Sequence, residues 1–203
     1  MISKMVLATH NPKKLAELRR IFAEAALGVE VLGLSEVEEY PEPEETERTF
    51  EGNALLKARA AAEATGLPAL ADDSGLEVDV LNKMPGVRSA RWAGPGASDE
   101  ENLGLVLRQL ADVPDADRSA RFVCAMALAL PDGGEHVERG EMPGRMARHP
   151  VGSNGFGYDP GFIADGMDVT NGELTPEQKD AISHRGKAVR AMAEYLAGLG
   201  ERG

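Results

Sequence analysis

Two stretches, Arg118 to Leu130 (RSARFVCAMALAL) and Gly134 to Glu141 (GEHVERGE), read as a long strand pair that turns at PDGG. Pro, Asp and Gly are the residues that build turns, and a tight turn between strands makes them antiparallel neighbours. The start of the chain follows another rule. Met5 to Ala8 is a short apolar strand, THNPKK is a polar loop, and Leu15, Leu18 and Phe22 keep a helical stripe. Asn11-Pro12 marks the helix start, since Asn caps free amides and Pro suits the first helical position. Strand and helix patterns alternate along the chain, which predicts an α/β fold. The hairpin makes its sheet mixed rather than all-parallel.

Val29 to Leu34 reads as a further strand, and the Glu- and Pro-rich SEVEEYPEPEETER as a solvated loop. A helix is predicted from about Thr49 to Ala64, rich in good helix formers. Asn53 and Lys57, four apart, share one of its faces. PALADDSGLEV, from Pro68 to Val78, reads as a strand, a DDSG turn and a second strand. NKMPGVRSARWAGPGAS is a Gly/Pro loop closed by Ser98, with Glu101 three residues on as a capping box. GSNGFGYDPGF is a glycine-spaced loop. Thr175-Pro176 with Gln178 opens a helix that SHRGK interrupts and Lys187 to Leu199 completes. No internal repeat or low-complexity linker divides the 203 residues, so a single domain, 1–203, is expected.

The formal net charge of -12 repels nucleic-acid phosphates and anionic membranes. A small phosphorylated ligand stays compatible with it if basic residues converge locally or a divalent cation intervenes. Cys124, the single cysteine, excludes an internal disulfide and a cysteine zinc site. That usage suits a reducing cytosol. No leader pattern and no membrane-spanning apolar run is read, so a cytoplasmic protein is expected.

Four stretches carry chemistry. In THNPKK a helix N-terminus offers free amides, while Lys13 and Lys14 oppose the helix dipole, which points to something anionic nearby or to a solvated basic turn. Asp72 and Asp73 set two like charges side by side, as a polar turn or as a metal and acid–base site. FGYDP offers an aromatic face, either to a planar ring or as a plug over the core. SHRGK offers donors to an acceptor edge or a phosphate, or is a basic helix start in solvent.

Taken in order, THNPKK, EETERTFEGNALLKA, ADDSGLEVDVL, PGVRSARWAG, GFGYDP and LTPEQKDAISHRGKA closely resemble the inosine triphosphate pyrophosphatase family over almost the whole chain. The resemblance implies an α/β fold with a long, twisted mixed sheet and flanking helices, two lobes around a central cleft, and a homodimer. It also implies Mg2+-dependent hydrolysis of ITP, dITP and XTP between the α- and β-phosphates, giving a monophosphate and pyrophosphate. By position, Thr9, Asn11 and Lys14 look like the phosphate-holding set, with Lys57 as a second phosphate lysine. Glu45 and Asp73 look like metal ligands, and Asp72 and Asp73 like the catalytic acidic pair. Ser74 resembles a substrate contact, Phe156, Gly157, Tyr158 and Asp159 match the base-stacking loop, Lys179 a nucleotide contact, and His184 with Arg185 the base-reading pair. The departures are His10, where Gly is frequent, and MDVTNGEL, which lacks a Lys before its Thr. The rival readings are a Maf-type pyrophosphatase for modified nucleotides and a nucleotide sensor without turnover.

Overall fold

The structure, a computed structural model, describes residues 2–200. Strand β1, Lys4–Leu7, buries Met5, Val6 and Leu7 completely. Helix α1, Pro12–Glu24, starts as the sequence predicts: the Asn11 side chain accepts from the Lys13 and Lys14 amides at 2.9 and 3.4 Å, and Pro12 holds the first turn. Strand β2, Glu30–Leu32, then lies parallel to β1. Helix α2, Phe50–Thr65, is capped by the Thr49 hydroxyl and ends at Gly66, whose φ of 68° is the left-handed conformation Gly adopts without penalty. Strand β3, Ala69–Val78, is parallel to β1 on the side opposite β2. The order β2-β1-β3 thus reverses direction at β1. Right-handed crossovers in opposite directions place α1 and α2 on opposite faces of these strands.

Four further strands complete the sheet: β4 (Met84–Pro85), β5 (Ser119–Ala129), β6 (Glu135–Met146) and β7 (Phe162–Ala164). The order is β2-β1-β3-β5-β6-β7, with β4 paired to β3. β4 and β7 are antiparallel to their neighbours, so the sheet is mixed, as predicted. The remaining helices are α3 (Asp99–Gln109), α4 (Pro176–Ile182) and α5 (His184–Gly200). Among the described residues no helix is long and apolar enough to cross a membrane.

The chain divides into two compact units. The first comprises Met1–Asp73, Cys124–Gly140 and Lys187–Gly203; the second Ser74–Val123 and Glu141–Gly186. In the first, Met5, Leu7, Leu70, Met126 and Leu128 of the strands pack with Leu18 and Phe22 of α1 and Met192 of α5. The α2 face is made of small residues instead, with Ala54, Ala58, Ala61 and Ala62 all buried. In the second unit, Leu76, Val78, Phe122, Met142 and Phe162 pack with Leu103 and Val106 of α3.

Two local expectations are corrected. DDSG is no turn: β3 runs unbroken through it. The turn propensity of Asp, Ser and Gly is local, and it loses here to tertiary partners. Lys14 and Asn53 take the two carboxylates, and the Leu76 amide donates to Ser89 Oγ at 2.9 Å. Gly75 permits that approach, since a Cβ there would lie 2.4 Å from Ser89 Oγ and 2.8 Å from the Gly86 carbonyl oxygen. SHRGK does interrupt the helix, but only at Ser183: α5 already begins at His184 rather than at Lys187. Ser183 separates α4 from α5, and its hydroxyl accepts from the Gly186 amide at 2.9 Å as an N-cap does.

Candidate active site

In the first unit the strand order changes direction between β1 and β3, and open α/β sheets bind ligands outside the carboxyl ends of strands at such a point. The loop after β1 carries Thr9 and Asn11, and the Asn11 amide donates to Thr9 Oγ1 at 3.2 Å. One turn into α1, Lys14 Nζ donates to Asp72 Oδ2 at 2.6 Å. The Asp72 side chain is 1% exposed, so this pair is a partner the buried carboxylate requires. The anion that the misplaced lysines call for is, in Lys14's case, a strand carboxylate of the same unit.

Asp73 turns the other way. Successive strand residues direct their side chains to opposite faces, and Asp73 Oδ2 accepts from Nδ2 of Asn53 on α2 at 3.0 Å. The adjacent aspartates therefore bond to different helices, Asp72 to Lys14 of α1 and Asp73 to Asn53 of α2, although both charges still reach Lys57. One helical turn beyond Asn53, Lys57 Nζ donates to Glu45 Oε1 at 2.6 Å. Burial alone would lower the pKa of Lys57, but the Glu45 hydrogen bond and the charges of Asp73, Glu45 and Asp72 together raise it above the usual lysine value. Lys57 is a firm cation across neutral pH, within the field of all three carboxylates.

Those carboxylates bear on whether a divalent cation fits. Among the described residues no group of three or more His, Cys, Asp or Glu side chains is gathered so as to hold a metal. Glu45 and Asp73 nonetheless offer hard oxygen donors near one shared ammonium. Mg2+ keeps several waters and needs only one or two carboxylates, so this donor set fits it without a preformed cage.

The second unit holds the other predicted residues. Phe156 stands at the tip of its loop, 75% exposed, and Lys179 Nζ lies 4.7 Å from the ring centroid. Buried Asp159 organises that loop, accepting from the Phe156 amide at 2.9 Å, from Asn171 Nδ2 at 3.2 Å and from Lys179 Nζ. The Gly157 amide donates to Asp99 Oδ2 at 2.7 Å. Tyr158 turns inward and its hydroxyl donates to the Ser89 carbonyl oxygen at 2.7 Å; burial, then the nearby Asp99 charge, push its pKa well up. Loop geometry thus leaves the Phe156 ring outside and draws Tyr158 and Asp159 in. His184 and buried Arg185 occupy the first turn of α5, with the His184 ring stacked on Phe122 at 5.1 Å and 17°. Ser74 lies half-buried on β3.

Asn53, Asp99, Ser89 and Asn171 were not singled out from sequence as site residues. For Asn53 the signal was present in its helical spacing to Lys57. The other three act through loop contacts distant in sequence, which no local pattern announces.

A sequence model of the Ham1 family matches residues 5–195. A dITP/XTP pyrophosphatase of Cutibacterium acnes is 62% identical over 193 residues, covering 94% of this chain and 95% of that protein. A HAM1 protein of Coxiella burnetii, solved as a structure, superposes with a TM-score of 0.89 at 43% identity, over 97% of this chain and 100% of that one. The crystal structure of a nucleoside-triphosphatase, or dITP/XTP pyrophosphatase, of Mycobacterium abscessus gives 0.81 at 53% identity, over 93% and 98%.

Proposed function

We infer that this chain, which belongs to the Ham1 family, hydrolyses non-standard purine nucleoside triphosphates, among them dITP, XTP and ITP, to the monophosphate and pyrophosphate. The observation that carries the reading is the convergence of Lys14, Lys57, Glu45, Asp72 and Asp73 around the switch point of the first unit. A triphosphate is the kind of anion such cations neutralise, and phosphoryl transfer depends chiefly on that neutralisation and on positioning. The names of close relatives support the same chemistry.

In this mechanism Thr9, Asn11, Lys14 and Lys57 hold the phosphates, with free amides at the start of α1 adding to them. Asp73 and Glu45 would hold Mg2+, which supplies charge neutralisation at the phosphate oxygens when bound. Asp73 takes a proton from, or orients, the attacking water, and the Asn53 amide holds its Oδ2. Asp72 keeps Lys14 in place. Ser74 and Lys179 contact the nucleotide. Phe156 and Gly157 stack against the base, in a loop whose shape Tyr158 and Asp159 maintain. His184 and Arg185 read the base edge: donors there match the O6 acceptor of hypoxanthine or xanthine and are left unpaired by the adenine amino group. The whole chain acts as a single two-lobed domain and, as part of the same proposal, as a cytoplasmic homodimer.

The test is turnover. With Mg2+, dITP, XTP and ITP should each release pyrophosphate and monophosphate in equal amounts, at a kcat/KM about 10²-fold or more above ATP. Stoichiometric orthophosphate in place of pyrophosphate would refute the cleavage position. Binding of dITP without turnover would instead point to a sensor.

The base site gives a second expectation. Stacking on an aromatic ring contributes roughly 1–3 kcal/mol per base and tolerates base identity. Phe156→Ala should therefore lower kcat/KM by about 10-fold for ITP, XTP and GTP alike. Arg185→Ala should instead narrow the gap between ITP and ATP; an undiminished preference for ITP would assign base reading to other groups.

A further inference from the structure

Asn53 is fully buried on α2, and both ends of its side-chain amide are engaged. Nδ2 donates to Asp73 Oδ2 at 3.0 Å, and Oδ1 accepts from the Glu47 amide at 3.0 Å. The two contacts fix the sense of the amide, because a flip would set its oxygen against a carboxylate and its NH2 against a backbone N–H. Glu47 lies two residues beyond Glu45, so one side chain grips both the strand carboxylate and the loop that carries the other. The same loop meets α2 at two more points. Glu45 pairs with Lys57, one turn along from Asn53, and Gly52 leaves room for Glu47, since a Cβ at Gly52 would lie 2.8 Å from Glu47 Cβ.

We propose that Asn53 is a positioning residue that sets Asp73 and the Glu45 loop in register with one another, so that both carboxylates can serve one divalent cation. The inference rests on the reading of Glu45 and Asp73 as metal ligands. An aliphatic residue at this place would take one donor from the half-buried Asp73 carboxylate and the side-chain acceptor from the Glu47 amide. An aspartate would keep the acceptor for Glu47 but set a second charge against Asp73, removing the donor it needs. The aliphatic substitution removes both halves of the grip, the aspartate only the donor half. Asn53→Ser keeps a short donor and acceptor and is the partial rescue.

The experiment measures Mn2+ binding to the nucleotide-free protein by electron paramagnetic resonance, together with steady-state dITP hydrolysis and thermal unfolding, for the natural chain and the Ala, Asp and Ser variants. Mn2+ affinity should fall about 10-fold in Asn53→Ala, further in Asn53→Asp, and less in Asn53→Ser. kcat should follow the same order, while KM for dITP changes less than about threefold, a split that a general loosening of the fold does not produce. The proposal is overturned if folded variants bind Mn2+ and turn over within twofold of the natural chain, if the loss lies wholly in KM, or if all three variants are unfolded at 25 °C. A natural chain that binds Mn2+ but releases no pyrophosphate would instead count against the proposed function, and the order of Mn2+ affinities would still decide the role of Asn53.

Discussion

Asp73→Asn should lower the rate of pyrophosphate release from dITP by about 10²-fold or more, the scale on which acid–base or metal assistance is lost, while the melting temperature moves by only a few degrees. The two side chains are nearly isosteric, so the change removes charge and proton affinity but little volume. Asn53 can still donate to the carbonyl oxygen of the new amide, so the hydrogen bond at the strand survives. Lys57 loses one of the three carboxylate charges that raise its pKa but keeps its bond to Glu45. The loss should appear in kcat at saturating dITP. Asp72→Asn offers the contrast. Its carboxylate is buried against Lys14, so neutralising it leaves a partly buried ammonium with a weaker partner, and destabilisation should accompany any loss of rate. A near-normal rate in Asp73→Asn would remove it from the reaction. Equal behaviour of the two variants would show that the sheet does not divide their roles.

That division shows where sequence reading reaches its limit. The helix starts were legible because each is written in adjacent residues: Asn11-Pro12, Ser98 with Glu101, and Thr175-Pro176 with Gln178 all cap as predicted. The hairpin of β5 and β6 was legible for the same reason, though β6 extends to Met146, beyond the predicted Glu141. DDSG was misread because its local composition is that of a turn, whereas its conformation is decided by Lys14, 58 residues away in sequence, and by Asn53, 20 away. β4 and β7 were also missed. They are strands of two and three residues, too short for any alternation to show. In the candidate site, the residue types were legible as motifs. The inward turn of Tyr158 was not, because it depends on Ser89, 69 residues distant.

Arg118→Met should destabilise the protein by about 3 kcal/mol or more, since a donor to several buried carbonyls is removed at once. Arg118, the residue before β5, is 2% exposed, which is unusual for a guanidinium. Nε donates to the Met146 carbonyl oxygen at 3.0 Å, and the two terminal nitrogens donate to those of Leu110 and Ala147 at 2.6 and 2.7 Å. Leu110 follows α3, Met146 ends β6 and Ala147 follows it, so one side chain ties a helix end to a strand end within the second unit. Burial pulls the guanidinium pKa down, Arg148 adds to that, and Asp115 opposes it. An arginine stays charged through shifts of this kind, which makes its hydrogen bonds of the stronger, charge-assisted sort. Methionine matches the apolar stem but leaves the carbonyl oxygens of Leu110, Met146 and Ala147 without this donor. For a chain of this length the loss corresponds to a melting temperature about 6–12 °C lower. Arg118→Lys should recover part of it, since an ammonium keeps the charge but cannot reproduce the planar fork. Calorimetry of the three proteins checks the order, and a methionine variant melting within about 2 °C of the natural chain would contradict the account. Because Arg118 is not among the residues assigned to phosphate, metal or base, dITP turnover measured well below the transition should stay within about twofold. A large loss of rate there would mean that the tie at Leu110, Met146 and Ala147 also governs the site.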